Sequence, residues 1–171
     1  MDNTDKNFQV IFHRTKKKLY NFVLKMTYDK MLTEDIVQNV YLKLIESLQN
    51  IESPSSIDFW LFKTARNEVY QYYRTKKIHI DRFNQADIDE IDIASNESIE
   101  DAVEKADIRY HLEEQLMFMP VEQKEVFLLK EYGGFSYKEI SELLNIEIEL
   151  IKSRLNKVRK KLINRLNKII N

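Results

Sequence analysis

Residues 134–168 of this chain read GFSYKEISELLNIEIELIKSRLNKVRKKLINRLNK, and between Ile151 and Asn171 there are eight lysines and arginines and no acid. A one-signed cationic segment of this kind holds a polyanion through its phosphates. The elements that must position it are legible on either side. Ser136, with Glu139 three residues on, opens an apolar-periodic run as a capping box. Ile140, Leu143 and Leu144 supply one apolar face, and Asn145 can close the helix in the left-handed conformation. A second helix follows almost at once, with Ile148, Ile151, Leu155, Val158, Leu162 and Leu166 on one stripe. A capped helix, a tight turn and a basic second helix form a helix-turn-helix. A solvated basic face is the bland account of any charge run; the three features together point to DNA.

A second constellation lies upstream in DFWLFKTARNEVYQYYRTKK, residues 58–77, where six aromatics interleave with five cations. Asp58 marks the helix start, and Leu61, Ala65, Val69 and Tyr72 make its core stripe. Trp60, Lys63, Thr64, Asn67, Tyr70, Gln71 and Arg74 fall on other faces. Aromatic faces stack unpaired bases and cations hold phosphates, so the composition suits single-stranded nucleic acid. Some of these aromatics, Phe62 and Tyr72 among them, serve the core instead.

Two further helices are expected ahead of it. The first, about Phe8–Thr27, is apolar at Ile11, Phe12, Leu19, Phe22, Val23 and Met26. The second, capped by Thr33 and running to about Gln49, gathers Ile36, Val37, Val40, Tyr41, Leu44, Ile45 and Leu48 on one face. Asp35, Gln38, Asn39, Lys43 and Glu46 take the other face, with Leu42 stranded among them. An isolated exposed Leu is ordinary; beside carboxylate and amide groups it is equally the apolar centre of a docking patch. Residues 51–57, IESPSSI, read as a loop.

Composition sets the class. Only two Gly and two Pro occur in 171 residues, with 43% hydrophobic and 32% charged residues, which calls for an all-α fold. No Cys is present, so disulfides and thiolate chemistry are excluded, and the three histidines have no ligand spacing. No metal or cofactor is expected, and no GxxxxGK[ST] phosphate loop occurs. Dense acids appear only between the halves, which argues against a nucleic-acid enzyme. Neither a signal segment nor a membrane span is evident, so a cytoplasmic protein without membrane insertion is expected. The net charge of −1 hides segregation: residues 1–80 carry 13 basic and 9 acidic groups, 81–114 carry 3 and 12, and 115–171 carry 11 and 7. Two small helical domains, 1–80 and 110–171, are therefore expected to flank an acidic flexible linker, 81–109. That linker is either a solvated tether or a polyanion mimic for a basic channel.

With both modules in view, the chain resembles a group 4 (extracytoplasmic-function) sigma factor of bacterial RNA polymerase, in the sigma-70 family. LTEDIVQNVYLKL (32–44) is similar to the family's region 2.2, WLFKTARNEVYQYYR (60–74) to regions 2.3 and 2.4, and FSYKEISELLNIEIELIKSRLNKVRKKL (135–162) to region 4. The resemblance implies a non-catalytic factor that binds core RNA polymerase and promoter DNA, with an anti-sigma factor as a further partner. It places Asp35, Gln38 and Asn39 at the polymerase, and the helical wheel adds Leu42 to that patch. It places the 51–57 loop, Ile51 included, and Asn67 at the single-stranded −10 element, to which the aromatic–cation pattern adds Lys63, Tyr70 and Arg74. It places Lys152, Ser153, Asn156 and Lys157 at the −35 duplex; the helical wheel adds Leu150, exposed at the helix N-terminus where base edges are reached, and Tyr137 joins them from the preceding helix. There are two departures from the family pattern: Glu149 and Leu150 open the recognition helix where a small residue or Thr is frequent, and Ile51 replaces a frequent aromatic. The competing reading is a conventional helix-turn-helix regulator with an N-terminal effector or dimerisation domain.

Overall fold

The computed structural model describes residues 3–48, 51, 54–76 and 99–170. Within them the chain is helical: α1 (Asn3–Thr27), α2 (Lys30–Ser47), α3 (Pro54–Thr75), α4 (Ile99–Met117), α5 (Val121–Glu131), α6 (Tyr137–Leu144) and α7 (Ile148–Ile170). Helices α1, α2 and α3 pack on one another, and α7 packs on α4, α5 and α6. The all-α, two-unit expectation therefore holds. The acidic segment as far as residue 98 lies outside the described residues, and α4 begins at Ile99, inside the stretch read as linker.

The α1–α2 turn departs from the sequence reading. Asp29, not Thr33, caps α2 by accepting from the Leu32 backbone N–H at 2.9 Å. Tyr28 makes the reversal in the left-handed region at φ 50°. Thr33 is buried inside the helix, where its hydroxyl donates to the Asp29 carbonyl and meets the Thr27 hydroxyl at 2.9 Å. A hydroxyl with two such partners serves burial better than capping. Helix α3 likewise starts earlier than Asp58, at Pro54. Proline is favoured at the first helical position because its missing N–H would be unsatisfied there anyway. Asp58 instead receives Arg14 at 2.6 Å and also Lys18, tying α3 to α1.

The core is largely the one read from periodicity, with three exceptions. Leu61, Ala65 and Val69 are buried, but Tyr73 rather than Tyr72 packs on the core beside them. Ile45 is exposed, as is Ile148 at the start of α7. A helical wheel gives direction only, and these positions lie beyond the edge of the surface their neighbours cover.

Both glycines of the chain stand in the α5–α6 turn. Gly134 takes φ 70°, and a Cβ on Gly133 would lie 2.5 Å from the Phe135 ring and 2.6 Å from the Leu129 carbonyl. This turn folds Phe135 inward. There its ring stands edge-on to Phe62, centroids 5.2 Å apart, and Phe62 in turn meets Phe22 at 5.1 Å. One buried cluster thereby runs from α1 and α3 into α5, α6 and α7, and the two units share a core.

Candidate nucleic-acid interface

The helix-turn-helix forms as its sequence requires. The Ser136 N–H donates to the Glu139 carboxylate at 2.8 Å, and the Glu139 N–H donates to the Ser136 hydroxyl at 3.2 Å. Asn145 ends α6 in the left-handed region at φ 53°, and Ser141 donates to the Ile146 carbonyl at 2.6 Å. Ile151, Leu155 and Val158 of α7 are buried, with Leu162 and Leu166 half-buried. The opposite side of α7 presents Lys152, Ser153, Asn156, Lys157, Lys160 and Lys161, all exposed. Leu150 is 41% exposed at the helix N-terminus. Lys152 is held by the Glu149 carboxylate at 2.8 Å, which keeps its ammonium above the ordinary lysine range. A base contact by Lys152 has to share its ammonium with that carboxylate or displace it. Arg159 leans toward Glu131 of α5 at 3.7 Å. Tyr137 is half-buried, with Lys130 over its ring at 5.1 Å.

On α3, Lys63, Asn67, Gln71 and Arg74 form an exposed strip at helical spacing. Arg66, Asn67, Tyr70, Gln71 and Arg74 line a cleft of about 500 Å³. The Arg66 guanidinium stacks on Tyr70, 4.5 Å from the ring centroid. Of the single-strand candidates, Asn67, Tyr70 and Arg74 share this cleft, and Lys63 lies one turn away over Phe59. Ile51 does not join them: it is half-buried and packs on the core cluster. The expected 51–57 loop is shortened by the early start of α3, and Ile57 is core.

On α2, Asp35, Gln38, Asn39 and Leu42 are all exposed along one face, Leu42 by 53%. Gln38, Leu42 and the unexpectedly exposed Ile45 border an apolar cleft of about 370 Å³ floored by Phe12, Val37 and Tyr41. The sequence reading missed this cleft because it placed Ile45 in the core.

It also missed Glu125 of α5, which is 3% exposed. Glu125 takes the Arg66 guanidinium on both oxygens and accepts from the Tyr70 hydroxyl at 3.3 Å. Burial pushes its carboxyl above the usual range, and Arg66 opposes that shift. Burial likewise drives the Tyr70 phenol upward. A signal was present: Glu125 sits between Val121 and Leu129 at four-residue steps, and a charge on an apolar face demands a partner.

Residues 11–78 match sigma-70 region 2, and residues 112–162 match sigma-70 region 4. The chain belongs to the sigma-70 family. It is an RNA polymerase sigma factor, directing promoter-specific initiation of transcription. The region 2 match covers the half where the rival regulator reading needs an effector domain. RNA polymerase sigma factor SigZ of Bacillus subtilis is 26% identical over 91% of this sigma factor and 85% of its own length. The ECF RNA polymerase sigma factor SigX of the same organism is 26% identical over 87% and 78%. Among solved structures, the sigma factor RpoE in complex with the anti-sigma factor NepR from Bartonella quintana matches with a TM-score of 0.75. It is 23% identical, over 95% of this chain and 98% of that one. CnrH in complex with the cytosolic domain of CnrY matches with a TM-score of 0.63 at 18% identity. Among the described residues of the sigma factor, no three candidate ligands gather as a metal site, and no helix is long and apolar enough to cross a membrane.

Proposed function

We propose that this sigma factor is of the group 4, extracytoplasmic-function class and works as a cytoplasmic, non-catalytic initiation factor. Residues 1–80 serve as region 2 and residues 110–171, extended by α4 from Ile99, as region 4. The exposed face of α2, Asp35, Gln38, Asn39 and Leu42, docks on core polymerase. The α3 strip of Lys63, Asn67, Tyr70 and Arg74 receives the melted −10 strand; Ile51, packed on the core, is left out of that role. The α7 face of Leu150, Lys152, Ser153, Asn156 and Lys157, with Tyr137 of α6, reads the −35 duplex. An anti-sigma factor is a further expected partner.

The observation that carries this reading is the pairing of two different nucleic-acid faces on one chain. A basic helix behind a capped helix-turn-helix suits the major groove of a duplex. An aromatic and cationic cleft suits bare bases and phosphates. Flipping a base costs a few kcal/mol, and stacking on protein groups returns about 1–3 kcal/mol per base, so capture of one or two bases balances melting. No nucleotide hydrolysis is then needed to open the promoter.

Co-purification with core polymerase, followed by run-off transcription with and without the factor, tests the reading. A chain that binds helix-turn-helix targets as a free dimer and ignores core polymerase would overturn it.

A further inference from the structure

We propose that Glu125 latches the sigma factor shut, with its carboxylate occupying the place of a nucleic-acid phosphate on Arg66 and Tyr70 of the single-strand cleft. The inference rests on the assignment of that cleft to the −10 strand.

The latch is built from contacts between the two halves. Phe135 of the α5–α6 turn plugs against Phe62 and Phe59 of α3. Charged groups join the same two halves. Lys25 of α1, 3% exposed, pairs with Glu113 of α4 and lies 5.4 Å from the Tyr132 ring. Lys124 of α5, fully buried, lies 4.9 Å from the ring of Tyr28. The third such contact is Glu125 on Arg66 and Tyr70. A planar carboxylate gripping a guanidinium on both oxygens, with a phenol donating to it, uses the same donors that would serve a phosphate oxygen.

The contact cannot persist on a promoter. Elements centred near −35 and −10 are about 25 base pairs apart, roughly 85 Å of straight duplex. A compact chain of this length has a radius of gyration of about 16 Å, a span of roughly 40 Å. Two halves that share a core therefore cannot address both elements at once. The closed form also treats the two faces unequally: the α7 face is exposed, whereas Arg66 and Tyr70 are held under α5. Closure takes Arg66 and Tyr70 out of single-strand capture and leaves duplex reading available. Buried ion pairs suit a contact that must release, because their desolvation cost offsets most of their attraction and water accepts both partners on opening.

The chain has no Cys, so a spin-label pair can be placed at Met31→Cys and Ile163→Cys, exposed positions in separate halves. In the DNA-free protein the latch demands one short, narrow distance distribution. Glu125→Ala should shift it to longer, broader distances and tighten binding of a short random-sequence single strand by roughly tenfold, as a larger fraction becomes competent. Affinity for promoter duplex carrying −35 alone should not change. Should Glu125→Ala lose its helical signal, Glu113→Gln removes the Lys25 ion pair between the same two halves, at a residue remote from the cleft, with the same expected shifts. A wild-type distribution already long and unaltered by either substitution overturns the latch. Tighter DNA binding at an unchanged distance also overturns it, leaving only local charge repulsion. The distance measurement needs no polymerase, so failure of the latch and failure of the sigma-factor assignment of the cleft are read separately.

Discussion

Truncating Leu42 to Ala separates a docking residue from a core residue. Leu42 is 53% exposed on the polar face of α2, while Leu44, two residues on, is fully buried. Burying a whole Leu side chain is worth about 1.5–3 kcal/mol, so the exposed half offers a partner about 1–1.5 kcal/mol. Loss of that amount weakens polymerase binding roughly five- to twelvefold. The buried half contributes to the fold, but the site borders an open cleft that water can refill, so about 1 kcal/mol or less is expected there. For a chain of this size that lowers Tm by roughly 2–4 °C. Leu44→Ala is the control: a closed cavity in the core costs about 2–5 kcal/mol, or about 4–20 °C. Titration of labelled core polymerase, alongside calorimetric melting of both variants, reads the two effects independently. If Leu42→Ala melts as low as Leu44→Ala and binds polymerase like wild type, Leu42 belongs to the core and the docking face is elsewhere.

Other consequences are as direct. Asn67→Ala should impair open-complex formation on duplex promoters more than on templates already mismatched at −10, read by permanganate footprinting; equal defects would remove Asn67 from melting. Selection from randomised −35 duplexes should show a T facing Leu150 that disappears in Leu150→Ala, because an apolar side chain reads the thymine methyl. Glu149→Ala frees Lys152 from its 2.8 Å partner and should strengthen −35 binding, whereas an unchanged Kd would mean that Lys152 stays off the DNA. Gly133→Ala drives a Cβ into the Phe135 ring and should cost about 1–3 kcal/mol by overpacking, seen as a fall in Tm; an unshifted melt would show that the turn relaxes freely.

Local chemistry was legible in the chain from the start. The Ser136–Glu139 box, the left-handed Asn145 and the basic side of α7 depend on neighbours within one or two turns, and all three form as read. So do the exposure of Leu42 and Leu150 and the strip from Lys63 to Arg74, because helical spacing alone sets a shared face. Errors arose where a residue's fate depends on what lies across from it. Thr33 became a buried hydroxyl rather than a cap because Thr27 reaches it from the preceding helix. Ile45 stayed outside because, among the described residues, no element covers its edge of α2, and that opened the cleft beside Leu42. Above all, nothing in either module alone foretells that Glu125 meets Arg66 59 residues away, or that Phe135 enters the α3 core. Periodicity specifies which way a side chain points from its own helix. Which charge is desolvated, and by whom, is decided only when two surfaces meet.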